Sequence, residues 1–158
     1  MLKEKTVCFT GHRKIAIEQQ MIVADRLHSL IEKLILDGFT QFIAGGALGF
    51  DTLAALSVLS LKEKYPQAKL ILALPCVTQT NGWSTEDILV YEQIKQHADQ
   101  VVYVSQKYTR GCMFKRNRYL VDHSSVCVAF LTENKGGTAY TAEYARQKGL
   151  QVINLGTQ

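Results

Sequence analysis

Hydrophobic and polar positions fall into short apolar runs separated by longer stretches of helical spacing. The apolar runs cover residues 5–10, 40–44, 69–74, 100–104, 125–132 and 151–155, and have the length and β-branched character of buried strands. Between them, residues 18–37 repeat apolar side chains (Met21, Ala24, Leu27, Leu30 or Ile31, Leu34, Ile35) at helical spacing, with Gly38 placed to end the helix. Further helices are expected over residues 51–64, 86–97 and 113–122. A fifth, AYTAEYARQK, follows the turn 133–138 and is closed by Gly149. Ser84 or Thr85, followed by Glu86 and Asp87, marks the start of the third helix. The second helix, DTLAALSVLSLKEK, is apolar nearly all round. It is therefore expected to be buried on more than one side, against the sheet and against a neighbouring subunit.

Six strands alternating with five helices predict an α/β fold, Rossmann-like and doubly wound: a mainly parallel sheet of about six strands with helices on both faces. In such sheets ligands bind outside the carboxyl ends of the strands. Here the unusual residues cluster at those ends. The first strand runs into Thr10-Gly11-His12-Arg13, and the second into Gly45-Gly46-Ala47-Leu48-Gly49-Phe50-Asp51. The third is stopped by Pro75 and followed by an irregular loop with Trp83, a candidate for stacking on a base. The fifth opens into Gly136-Gly137-Thr138 at a helix start, where free N–H groups and the helix dipole favour an anion. Arg116, Asn117 and Arg118 precede that strand and reach the same edge; the spacing does not choose between the two arginines.

Charge sharpens this picture. The net charge is only +4, but residues 107–118 hold five basic residues and no acid. Positive charge confined to one segment suits an anionic ligand of limited size better than a long polyanion. With 158 residues, 47% hydrophobic, the chain is expected to form one domain over residues 1–158. No window is long enough for a membrane span, and the charged N-terminus does not read as a signal peptide, so a cytoplasmic protein is expected. Cys8, Cys76, Cys112 and Cys127 show no paired spacing, and neither they nor the four histidines have metal-ligand spacing. Buried thiols, no metal and no cofactor are expected.

Taken together, TGHR, GGALGFD, the Trp83 segment after ALP, RNRYLVD and GGTAYTAEYA resemble, in this order and over the whole chain, the SLOG superfamily, most closely its YpsA/YspA-like branch. That resemblance implies a Rossmann-like fold and a nucleotide-derived ligand held by the glycine turns. GHR, GGALGFD, KRNR and GTAYTAEYA are also similar to motifs of DNA-processing protein A, which implies single-stranded DNA as an alternative partner. The GGxGTxxE motif of the lonely-guy phosphoribohydrolases is matched by Gly136, Gly137 and Glu143, which would make Glu143 a catalytic carboxylate in nucleotide N-glycoside cleavage. Ala139 and Tyr140, however, stand where that motif has glycine and threonine.

The leading expectation is therefore binding of a small phosphate-bearing nucleotide derivative. Its contacts are expected from Thr10, Gly11, His12, Arg13, Gly45, Gly46, Gly49, Asp51, Trp83, Arg116, Asn117, Arg118, Gly136, Gly137 and Thr138. A nucleotide N-glycosidase and a single-stranded DNA-binding module are the alternatives, nucleic acid being the less favoured partner, and a homodimer is expected from the apolar second helix.

Overall fold

A computed structural model describes residues 2–156. Six strands form one fully parallel sheet in the order β4-β3-β2-β1-β5-β6. They are β1 (Thr6–Gly11), β2 (Gln41–Ala44), β3 (Lys69–Leu74), β4 (Gln100–Tyr103), β5 (Val126–Phe130) and β6 (Gln151–Asn154). The helices are α1 (Ile17–Leu36), α2 (Phe50–Lys64), α3 (Thr85–His97), α4 (Cys112–Asp122) and α5 (Gly136–Gln147).

The pleat divides each central strand between two cores. Val7, Phe9, Phe42, Ala44, Leu70, Leu72, Val126 and Val128 pack with residues of α1, α2 and α3 on one face. Cys8, Ile43, Ile71, Ala73 and Cys127 pack with Leu120 and Val121 of α4 and Ala145 of α5 on the other. Right-handed crossovers explain the segregation. From β1 to β4 the chain steps one way along the sheet, with its helices on one face. It then returns past β1 to β5, which places α4 and α5 on the opposite face. The direction reverses between β1 and β5, and that is where a doubly wound sheet opens a crevice.

Two sequence expectations change here. The second side of α2 is covered by α1 and α3 of the same chain: Phe50, Ala54, Ala55, Val58 and Leu61 are buried, and Leu56 is the one apolar residue of the helix left exposed, at 44%. Its all-round apolar character is thus met within one chain, and the ground on which a neighbouring subunit was expected falls away. The glycine pair was expected to form a turn ahead of the last helix. Instead Gly136 and Gly137 are its first two residues, with Lys135 as an N-cap that offers no side-chain bond.

Candidate functional site

At the β1/β5 reversal lies a cavity of about 350 Å³. Thr10, Gly11, His12 and Arg13 reach it from the end of β1, and Ala47 and Asp51 from the turn into α2. Met113, Arg116 and Asn117 come from α4, and Lys135, Gly136, Gly137 and Thr138 from the start of α5. Parallel connectivity brings these segments together, because every strand ends and every following helix begins at this edge. The first-turn N–H groups of α5 have no side-chain cap and so remain available as donors at the rim.

Arg116 is the central cation. It is 4% exposed, held by its Nη1 donating to the Gly45 carbonyl and its Nε donating to Asn117 Oδ1 at 2.8 Å. Gly45 is required by this approach, since a Cβ there would lie 2.6 Å from the Arg116 guanidinium. No carboxylate stands within ion-pair distance of Arg116 among the described residues. Burial pulls its pKa down, the nearby Arg13 charge adds to this, and Asp51 opposes it.

Asp51 is the matching buried acid, 6% exposed. Its Oδ2 accepts a hydrogen bond from the Ala47 N–H at 3.2 Å, and its Oδ1 accepts none among the described residues. Burial pushes its pKa up to about 6, against the pull of Arg116, the Ala47 bond and Arg13. The turn that carries it depends on Gly49, whose φ is +77° and where a Cβ would overlap the Arg13 carbonyl oxygen.

His12 lines the cavity but is also tied into the scaffold. Its Nε2 accepts the Thr132 N–H at 2.9 Å, and its ring packs edge-on to Phe130. That bond clamps the end of β1 to the segment after β5, and it calls for the tautomer protonated at Nδ1.

Six expected residues do not line this cavity: Gly45 and Gly49 shape the turn behind it, and Gly46, Trp83, Arg118 and Glu143 sit elsewhere. Arg118 points to the outer face of α4, where its Nη1 donates to the Tyr140 hydroxyl at 3.4 Å. Trp83 packs edge-on to Tyr91 and, with Gly46, lines a separate cavity of about 210 Å³ between α2 and α3. Glu143 lies on the exposed face of α5, beside Arg146 at 3.6 Å and outside the cavity, so its position offers no route to a reacting bond there. Lys135 and Met113 line the cavity without having been singled out in the sequence. Lys135 stood in the quoted turn with nothing in its spacing to mark it, and Met113 stood only as the expected first residue of the fourth helix.

The outer face of α4 and α5 has its own character. Arg110, Lys115 and Arg118 surround a groove with the half-exposed rings of Phe114 and Tyr140, which meet edge-to-face at 5.0 Å. Among the described residues, none of these three cations has a carboxylate within ion-pair distance.

Comparisons with known proteins agree with this architecture. The profile of the YspA SLOG family matches residues 7–154. The SPbeta prophage-derived protein YoqJ of Bacillus subtilis (strain 168) is 34% identical over 136 residues, 78% of this chain and 80% of that protein. A UPF0398 protein of Bacillus thuringiensis (strain Al Hakam) is 31% identical over 126 residues, 78% of this chain and 68% of that protein. Among solved structures, DNA processing protein A from Helicobacter pylori, which binds single-stranded DNA, superposes with a TM-score of 0.68 at 18% identity, covering 99% of this chain and 67% of that one. The molybdenum cofactor carrier protein of Chlamydomonas reinhardtii gives a TM-score of 0.61 at 20% identity, covering 98% and 79%. At these identities the two structures speak for the fold.

Proposed function

The chain belongs to the YspA SLOG family, and from that premise we propose that it binds a small, phosphate-bearing, nucleotide-derived ligand in the cavity between β1 and β5. The observation that carries this reading is Arg116, a buried guanidinium with no ion-pair partner among the described residues, lining the same cavity as an uncapped helix start. An unpaired buried charge costs several kcal/mol, and an anion in the cavity offsets that cost. In this reading the phosphate sits on the N–H groups of Gly136, Gly137 and Thr138, facing Arg116, with Arg13 and Lys135 at the mouth. Asp51, on the floor, accepts a hydroxyl of the ligand through its free oxygen.

Thermal shift against inorganic phosphate, nucleoside mono- and diphosphates and ADP-ribose tests the reading. At a hundredfold excess over Kd, binding contributes about 2.7 kcal/mol, or roughly 5–10 °C in Tm for a domain of this size. Gly137→Asp should abolish the shift. A Cβ at Gly137 meets open space, so the variant adds a carboxylate at the phosphate position without a steric clash. No shift with any of these ligands at millimolar concentration would refute the reading.

A second reading rests on the outer face of α4. Arg110, Lys115 and Arg118, unpaired beside exposed aromatic rings, suit a single strand of nucleic acid, which combines phosphates with stackable bases. It is consistent with the single-stranded DNA bound by the Helicobacter pylori neighbour. Here log K for a short oligonucleotide should fall against log[salt] with a slope of about −2, as about three phosphate contacts require. Binding insensitive to salt would contradict it.

A further inference from the structure

Asp51 is the negative counterpart of Arg116: 6% exposed, with no opposite charge within ion-pair distance among the described residues. Besides the floor of the first cavity it lines a second one, of about 210 Å³, between α2 and α3. The turn before α2 walls the two off from each other. Ala47 lines the first side, Gly46 and Leu48 line the second, and Asp51 is the one lining residue they share. The second cavity is therefore a compartment of its own.

Its chemistry is different. Ala55, Leu72, Trp83, Val90, Tyr91 and Ile94 make most of the wall apolar. Trp83 and Tyr91 supply aromatic rings that meet edge-on, with centroids 5.4 Å apart. The only charged lining residues are two acids, Asp51 and Asp87; Arg13, Arg116 and Lys135 do not line it. Asp87 stands in the first turn of α3, where its N–H donates to Ser84 Oγ. Its carboxylate has no hydrogen bond or ion pair among the described residues.

Charge and size together select a ligand. Two carboxylates without a cation repel a phosphate and attract an ammonium, most strongly at Asp51, where burial limits screening. Aromatic faces add cation–π attraction. An ionised carboxylate has about four acceptor sites, and within the chain Asp51 uses one, for the Ala47 N–H. An ammonium can thus be received from this side whatever the first cavity holds. A cavity of roughly 150 Å³ is enough to take benzene, whereas drug-sized ligands need roughly 300 Å³ or more. At about 210 Å³ this one holds a ring with a short side chain and excludes a nucleoside phosphate.

We propose that the cavity between α2 and α3 is a second, separate binding site, for a small arylalkylammonium whose ring lies against Trp83, Leu72 and Ile94 and whose ammonium faces Asp51 and Asp87. This site does not depend on the phosphate reading.

Trp83 is the sole tryptophan and lines this cavity, so its fluorescence reports on it. The probes are 2-phenylethylamine, its neutral isostere 2-phenylethanol, and the anion phenylacetate, each titrated to millimolar concentration at neutral pH in phosphate-free buffer. The amine should give a saturable change in emission and bind at least about tenfold more tightly than the alcohol, or about 1.4 kcal/mol. Phenylacetate should give none. The double variant Asp51→Asn/Asp87→Asn keeps the shape of the cavity; it should leave the affinity of the alcohol unchanged and bring the amine down to it. Should that variant fail to fold, Asp87→Asn alone, at an exposed position, should still lower the amine-to-alcohol ratio. Equal binding of amine and alcohol by the wild type, or a preference that survives loss of the carboxylates, would show that the acids select nothing and would overturn the proposal. So would the absence of any saturable change with the amine. None of these results touches the first cavity, so the phosphate reading stands or falls separately.

Discussion

Arg116 and Asp51 carry formal charges in the interior, and neither has an opposite charge within ion-pair distance among the described residues. For Asp51 burial outweighs the attraction of Arg116, and the carboxyl is pushed up to about 6 from 3.8. A carboxyl with a raised folded pKa adds stability below its unfolded pKa and loses that advantage as pH rises through the folded value. Asp51→Asn removes this titration and leaves an oxygen to accept the Ala47 N–H. The stability of the variant relative to wild type should therefore climb between about pH 4 and pH 6 and level off above, by on the order of 3 kcal/mol. Urea unfolding at several pH values measures it; a difference independent of pH would contradict a raised Asp51 pKa. In the sequence, Asp51 was visible as a residue at a helix start, but its depth was not, because burial depends on how α2, α3 and α4 meet. The ambiguity between Arg116 and Arg118 had a local answer. Cys112 and Leu120 lie four residues on either side of Arg116 and are buried with it, so Arg116 continues an apolar stripe. Arg118 is flanked at the same spacing by half-exposed Phe114 and by Asp122, which accepts from the Tyr144 hydroxyl.

At the scale of elements, the strand runs and helix spacings were legible because both periodicities are strong and the ends are punctuated by glycine or proline. The expected third helix start is present, with Ser84 Oγ accepting the Asp87 N–H at 3.1 Å. Less legible was the covering of α2. An apolar second face reads the same whether its partner is a helix of the same chain or of another, and only the packing of α1 and α3 decides. The start of α5 was also misplaced by three residues, since glycines usually mark turns and here they open the helix, leaving its donors uncapped. The turn into α2 supplies an element-scale prediction. Gly49 combines a left-handed φ with backbone contact to Arg13, so Gly49→Ala should destabilise the protein by at least about 2 kcal/mol. A Tm within 1–2 °C of wild type, roughly a 0.5 kcal/mol change, would show that this turn tolerates a side chain and does not fix the position of Asp51.

For the molecule as a whole, the α/β class followed from strand and helix alternation, and the edge at which motifs gather followed from the parallel sheet. Strand order did not. The connection from β4 to β5 is long enough to return to either edge. Its course past β1, which sets the reversal and brings Arg13, Arg116 and Gly137 to one cavity, is a consequence of tertiary packing. Trp83 illustrates the same limit: it belongs to the ligand-binding edge in sequence order, yet the turn at residues 45–49 puts it behind a partition. The central claim is that phosphate binds at the reversal, between Arg116 and the start of α5. It is tested most directly by amide and arginine side-chain NMR shifts on titration with AMP. Binding at the reversal predicts saturable shifts at the Gly136, Gly137 and Thr138 amides and at Arg116 Nε–H. Shifts confined to Arg110, Lys115 and Arg118 on the outer face of α4, or none at millimolar AMP, would contradict it.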